Sequence, residues 1–408
     1  MPASQPLRAA AALDAPEAAD PRNFSIVLGG PLYQLLRRSH ATGDALEMAR
    51  RRIVAMAAIA WLPLLVLALI GGEALGGEAQ VPFLKDVEVH VRFLVALPLL
   101  VAAELLVHMR LRPVAQEFVV RGLVPDASME RFRESLRSAF RLRNSVAAEV
   151  AMIVLVYGLG VNYVWRHFTS LDVATWYAAP SGTGATLTPA GIWYAYVSVP
   201  LLQFLLLRWY FRIAIWCRFL WQVSRLPLNL SAVHGDGLAG LGFLSGTVYA
   251  FVPLLMAHGA LLAGVIANRI FYSGAALADA RIEVAVVVAY LLLLVFAPLA
   301  VFTPQINAVK RKAGREYGRL AQRYLRDFEA KWIPGGVPAA GSLLGDADFQ
   351  SLADLNNALA TVKATRTLPV TRDAVVKLAV ATLAPIAPLL LTVIPAEELA
   401  RRLIKLVI

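Results

Sequence analysis

The chain has 408 residues, of which 58% are hydrophobic and only 16% charged. A soluble domain carries about a quarter charged residues, so the composition excludes an ordinary soluble globular protein. The formal net charge is +11, but the basic residues lie between long apolar runs, which speaks for membrane topology and against nucleic acid as a partner.

Residues 1–22 are rich in Ala and Pro and lack an apolar h-region, so they read as a disordered tail and not as a signal peptide. Pro31–Arg52 sets Leu32, Leu35 and Leu36 against Arg37, Arg38 and Arg50–Arg52, the pattern of an interfacial helix feeding a first span at Ile53–Gly72. Further runs long enough to cross a bilayer core follow at Phe93–Met109, Val146–Trp165, Gly191–Leu207, Leu241–Ala267 and Val284–Phe302. The fourth is expected to continue as a helix beyond the membrane through Arg208, Arg212 and Arg218, and Thr303-Pro304 is expected to end the sixth. The single cysteine, Cys217, excludes an intrachain disulfide and a cysteine-based metal cluster, and reads as a packing residue.

Arginines and lysines fall before span one, between spans two and three, after span four and after span six. The other side holds only Lys85, Arg92, Arg166, Arg269 and Arg281. This bias predicts a cytoplasmic N-terminus and cytoplasmic basic loops. The predominance of Arg over Lys, with abundant Ala, Leu and Val, suggests a GC-rich bacterial genome and hence a bacterial inner membrane. The expected organisation is a tail over 1–22 and a membrane domain over 23–308, including the interfacial helix and a cytoplasmic 110–144 loop. A cytoplasmic helical region over 309–377 and a C-terminal segment over 378–408 follow. Leu378–Ile394 contains Pro385 and Pro388 and reads as re-entrant or as a seventh span. The charge rule favours re-entrant, because Arg401, Arg402 and Lys405 then stay inside. Ala396–Ile408 reads as an amphipathic surface helix.

Two cytoplasmic helices are predicted: Ser128–Arg143, basic and amphipathic, with Ser128 at its cap, and Lys310–Trp332, ended by Pro334-Gly335-Gly336. A further helix is predicted from a cap at Asp346 through Leu359.

Ionisable groups inside a membrane are costly and mark functional sites by default. Glu104 and His108 share a face of span two, Glu149 opens span three, and Arg208 and Arg212 share a face at the end of span four. All five are predicted to meet in the inner leaflet, as an ion or proton site or as structural ion pairs with snorkelling arginines. His258 lies deeper in span five, as a pathway proton carrier or as a histidine hydrogen-bonded between helices. Gly259 and Gly264 beside it permit close helix approach. Before span five, Gly235, Gly237 and Gly240 match G-x-G-x-x-G, but no βαβ unit surrounds them, so a dinucleotide site is rejected. The free N–H groups of such a turn suit an anion such as a lipid phosphate, making His234, Asp236, Gly237 and Gly240 candidates. The alternative is a tight turn in which Asp236 caps the following helix. His234 and Asp236 alone make no metal site.

His234–Leu244 and Asp348–Leu355 resemble segments of an uncharacterised family of bacterial inner-membrane proteins, and the likeness covers most of the chain after residue 23. That family more often has proline where Gly235 stands. The resemblance implies a bacterial membrane location and brings no activity.

The fold expected is all-α, with about six transmembrane helices and a Pro-broken C-terminal re-entrant or seventh segment. The leading functional expectation is an ion channel or transporter with Glu104, His108 and His258 on its path. The alternative is a membrane-anchored signalling or scaffold protein acting through its cytoplasmic helices. A lipid-active enzyme using His234 and Asp236 ranks last, because no nucleophile–base pair or full metal set is present. No catalytic residue, metal or cofactor is assigned. Partners expected are the bilayer, further copies of the chain and a cytoplasmic protein.

Overall fold

The computed structural model describes residues 20–27, 45–77, 79–164, 175–181, 184–333 and 347–392. Of the interfacial helix expected over Pro31–Arg52 only Ala45–Arg52 is described, continuous with the helix of the first span; the cap at Asp346 and the C-terminal surface helix lie outside these residues. So does the proposed tail up to residue 19. At its end, Asp20 accepts from the Arg22 N–H and caps a short turn at Pro21–Asn23. Phe24 then plugs the body, fully buried against Phe140, Trp216 and Phe219.

Among the described residues the architecture is all-α apart from one small hairpin. Six of the described helices are long and apolar enough to cross a membrane, and the bent pair Asp126–Arg143 and Val146–Gly160 would make seven. Helix α1 (Ala45–Ile70) buries a seam of Ala60, Leu64 and Ala68 and exposes Val54, Leu62, Val66, Leu69 and Ile70 on its other faces. A helix apolar all round has hydrocarbon for a solvent, since lipid satisfies no backbone group and each helix must satisfy its own. Helix α2 (Val87–Val120) starts on Asp86, whose carboxylate caps Val89 N–H, and widens into a π turn at Val91–Ala96. At about 1.5 Å per residue its 34 residues span about 51 Å, well beyond the apolar core.

Helix α3 (Met129–Arg143) buries Phe132, Leu136, Ala139 and Phe140 and carries Glu130, Glu134, Arg137 and Arg141 on its wet face. Ser128 occupies the cap position but makes no side-chain cap bond, contrary to expectation, because the preceding turn already holds it in helical conformation and buries it. Helix α4 (Val146–Leu155) is capped by Ser145 and runs into a π segment at Val156–Val164. A hairpin of β1 (Ala178–Ser181) and β2 (Gly184–Leu187) pairs Ala178 with Leu187 and Ser181 with Gly184. Helix α5 (Pro189–Val223) does run on past Arg208, Arg212 and Arg218 without a break.

Helix α6 (Gly242–Ser273) opens as a 3₁₀ turn and closes on Gly274 at φ +65°, a left-handed cap that suits glycine. Helix α7 (Leu277–Ala300) follows. The sixth run does stop before Thr303-Pro304, at Ala300, and the same pair opens α8 (Thr303–Trp332). Proline sits in that helix's first turn, where its missing N–H costs nothing. Helix α9 (Ala347–Ala364) packs back on α8 through Phe328, Phe349 and Trp332.

Helix α10 (Arg372–Thr392) settles against α6 along its length. Tyr249 Oη, near the start of α6, donates to Asp373. A Cβ on Gly259 would lie 2.0 Å from the Thr382 carbonyl oxygen. Ile386 and Leu389 cluster with Ala263, Ile266 and Ala267. Contacts thus advance in the same direction on both helices. The segment is among the helices long and apolar enough to cross a membrane. Pro385 and Pro388 convert its last part to 3₁₀ without turning it back.

Candidate functional site

Glu104 lies at the centre of a buried charge network. Each carboxylate oxygen takes one guanidinium: Arg212 Nη1 donates to Oε1 at 2.8 Å and Arg52 Nη1 pairs with Oε2 at 2.8 Å. Arg212 also lies over the Trp209 ring and reaches the Val27 carbonyl. One turn earlier on α5, Arg208 faces Glu149 at 3.8 Å. The four-residue spacing of Arg208 and Arg212 puts both on the face turned to α2 and α4. Of the predicted set, Glu104, Glu149, Arg208 and Arg212 do come together. Arg52, read in sequence only as part of a basic triplet, joins them. His108 turns away from the carboxylate, its Nδ1 lying 3.0 Å from Ser25 Oγ, and Arg143 donates to the Ser25 carbonyl at 2.7 Å. The short buried segment Ser25–Val27 is therefore threaded between arginines.

His258 is not part of this network. Its Nδ1–H donates to the Leu254 carbonyl at 2.8 Å, one turn back on α6, which leaves Nε2 to accept from the Tyr210 hydroxyl at 2.7 Å. Tyr210 sits between Arg208 and Arg212 in sequence and so points to a different side of α5.

A second network lies at the start of α2. Asp86, 4% exposed, accepts from Trp176 Nε1 and from Asn268 Nδ2, both at 2.8 Å. Glu88 pairs with Arg92, and Arg92 also meets the Tyr194 hydroxyl. Arg92 and Tyr194 both stand in π turns, a distortion often found at functional sites. The Glu88–Arg92 spacing of four and the lone Asn268 in an apolar run were the sequence signals for this site. Twelve residues, about 18 Å of helix, separate Arg92 from Glu104.

The glycine-rich loop closes on itself. Asp236 accepts from the N–H groups of Leu238 (2.8 Å), Gly240 (3.1 Å) and Gly242 (2.7 Å), and Gly237 N–H donates to the His234 carbonyl. Burial alone would raise the Asp236 carboxyl, but these three donors and nearby His234 hold it below the usual range. The N–H groups a phosphate would need are already spent on the aspartate. Gly237 and Gly240 adopt positive φ, and the Gly237 carbonyl accepts from Arg366 N–H, tying the loop to the end of α9. No set of three or more metal-ligating side chains is present among the described residues.

Comparison with models of known protein families, with curated proteins and with solved structures finds no match.

Proposed function

We propose that this multi-pass membrane protein moves an ion or small solute across a bacterial cytoplasmic membrane. In this reading the arginine-rich end and the N-terminus face the cytoplasm, as the Lys/Arg bias and the family resemblance suggest. The observation that carries the proposal is the pair of largely buried charge networks along α2: Arg52–Glu104–Arg212 at its middle and the half-buried Glu88–Arg92 pair with Asp86 and Tyr194 at its start. Charge at membrane depth is costly to keep, and ion pairs between helices that can break and re-form give a packed bundle two discrete states. The networks act as an inner and an outer gate, with His258 and Tyr210 as the polar group between them. A homo-oligomer around a symmetry axis belongs to the proposal.

The test is flux through purified protein in liposomes at pH 5.5 and 7.5. Flux above empty liposomes that falls with Glu104→Gln supports the reading, and no flux for any common ion at either pH would overturn it.

One observation favours a scaffold as the second reading. Between α8 and α9 a groove of about 650 Å³ is lined by Leu325, Phe349, Leu352 and Leu359. Arg315, Arg319 and Arg323 of α8 are exposed. If Phe349→Ser removes a saturable cytoplasmic partner while liposomes show no flux, this reading replaces the first.

A further inference from the structure

We infer that Arg208 holds a phosphate-class anion in the cleft between α4 and α5. The inference does not rest on transport. Its starting point is a charge imbalance. The cleft is lined by Arg143, Arg208 and Arg212 against one carboxylate, Glu149. The second carboxylate nearby, Glu104, is shared by Arg212 and Arg52. Among the described residues four guanidinium groups thus face two carboxylates, and the side chains of Arg208, Arg212 and Glu104 are each more than nine-tenths buried. Uncompensated buried charge is expensive unless something neutralises it.

The imbalance falls on one residue. Arg212 spends its donors on Glu104 and Val27, and Arg143 on Ser25 and Asn144. Arg208, with 7% of its side chain exposed, makes no hydrogen bond to any described residue, and its one ionic partner stands 3.8 Å away, beyond hydrogen-bond reach. Arg208 lines a cavity of about 10 Å³, room for one water-sized atom. A single phosphate oxygen fits there, accepting from Arg208 while the rest of the group stays outside. Met152 and Phe211 form apolar walls, and Val150, Ile153 and Val154 beside the cleft on α4 are exposed to the apolar surroundings. Basic clefts between membrane helices bind lipid headgroups by this chemistry. Free phosphate carries the same group.

The experiment titrates full-length protein in phosphatidylcholine nanodiscs with inorganic phosphate, and separately replaces part of the lipid with phosphatidylglycerol, reading the unfolding midpoint. A rise with phosphate identifies the free anion, and a rise with phosphatidylglycerol alone identifies the headgroup. Arg208→Gln is expected to weaken the response about tenfold, the scale of one lost hydrogen bond to a charged group. Glu149→Gln removes the competing negative charge and is expected to tighten it. Arg208→Lys keeps the charge and a weaker response. If Arg208→Gln fails to fold, the opposite directions of the other two variants carry the test. No response to either anion, or a response that Glu149→Gln weakens, overturns the inference.

Discussion

Glu104 of α2 and Arg212 of α5 stand 108 positions apart in sequence and meet at 2.8 Å, with side chains 8% and 4% exposed. Arg52 from α1 completes the carboxylate on its other oxygen. Three helices are thus joined through one side chain, and its loss strands two guanidinium groups.

Glu104→Gln is expected to destabilise the protein by about 3–5 kcal/mol, the cost of leaving buried charge unpaired. Thermal unfolding in detergent checks this. Glu104→Gln combined with Arg212→Met should recover part of the loss, because an apolar replacement of the pair leaves less charge behind.

Tyr210→Phe removes the donor to His258 Nε2 and leaves a buried acceptor without a partner. The expected cost is about 1–3 kcal/mol. In flux assays, His258→Ala should abolish any difference between pH 5.5 and 7.5. An unchanged pH difference would remove His258 from the path.

Asp236 gives a pH prediction with a definite sign. Its carboxyl titrates lower in the fold than in the unfolded chain. The stability it contributes is therefore complete at neutral pH, begins to fall near pH 4 and is lost as pH drops through the folded value. Limited proteolysis of the 226–242 loop at pH 7 and pH 3 should show opening only at the lower value. Asp236→Asn should open the loop at both.

Gly259 and Gly318 should respond oppositely to alanine. At Gly259 the new methyl would meet the Thr382 backbone, which cannot yield without separating α6 from α10. At Gly318, within α8, a Cβ meets nothing within 4 Å. Gly259→Ala should lower the unfolding midpoint, and Gly318→Ala should stabilise by up to about 1 kcal/mol through helix propensity.

The helices and the Glu104 network were legible because each rests on local spacing. Apolar runs mark the spans, and the four-residue intervals Glu104–His108 and Arg208–Arg212 fix shared faces. What spacing cannot supply is which faces meet. His108 shares a face with Glu104 yet bonds Ser25, because the Phe24–Val27 segment occupies the place beside it. Arg52 looked like an ordinary topogenic charge, and the Asp86–Asn268 bond joins residues 182 apart. The glycine-rich loop was legible as a turn. Its carboxylate accepts three N–H groups where a single cap bond was foreseen.

The partner of Gly259 is also late in coming. Thr382 emerges 123 residues after it, which at about 5–20 residues per second is roughly 6–25 s of translation. Over that interval the small-residue face of α6 is already made and its cover is not. The bundle therefore passes through a stage in which this groove is open to lipid or to the insertion machinery, and the closing of the groove waits for α10.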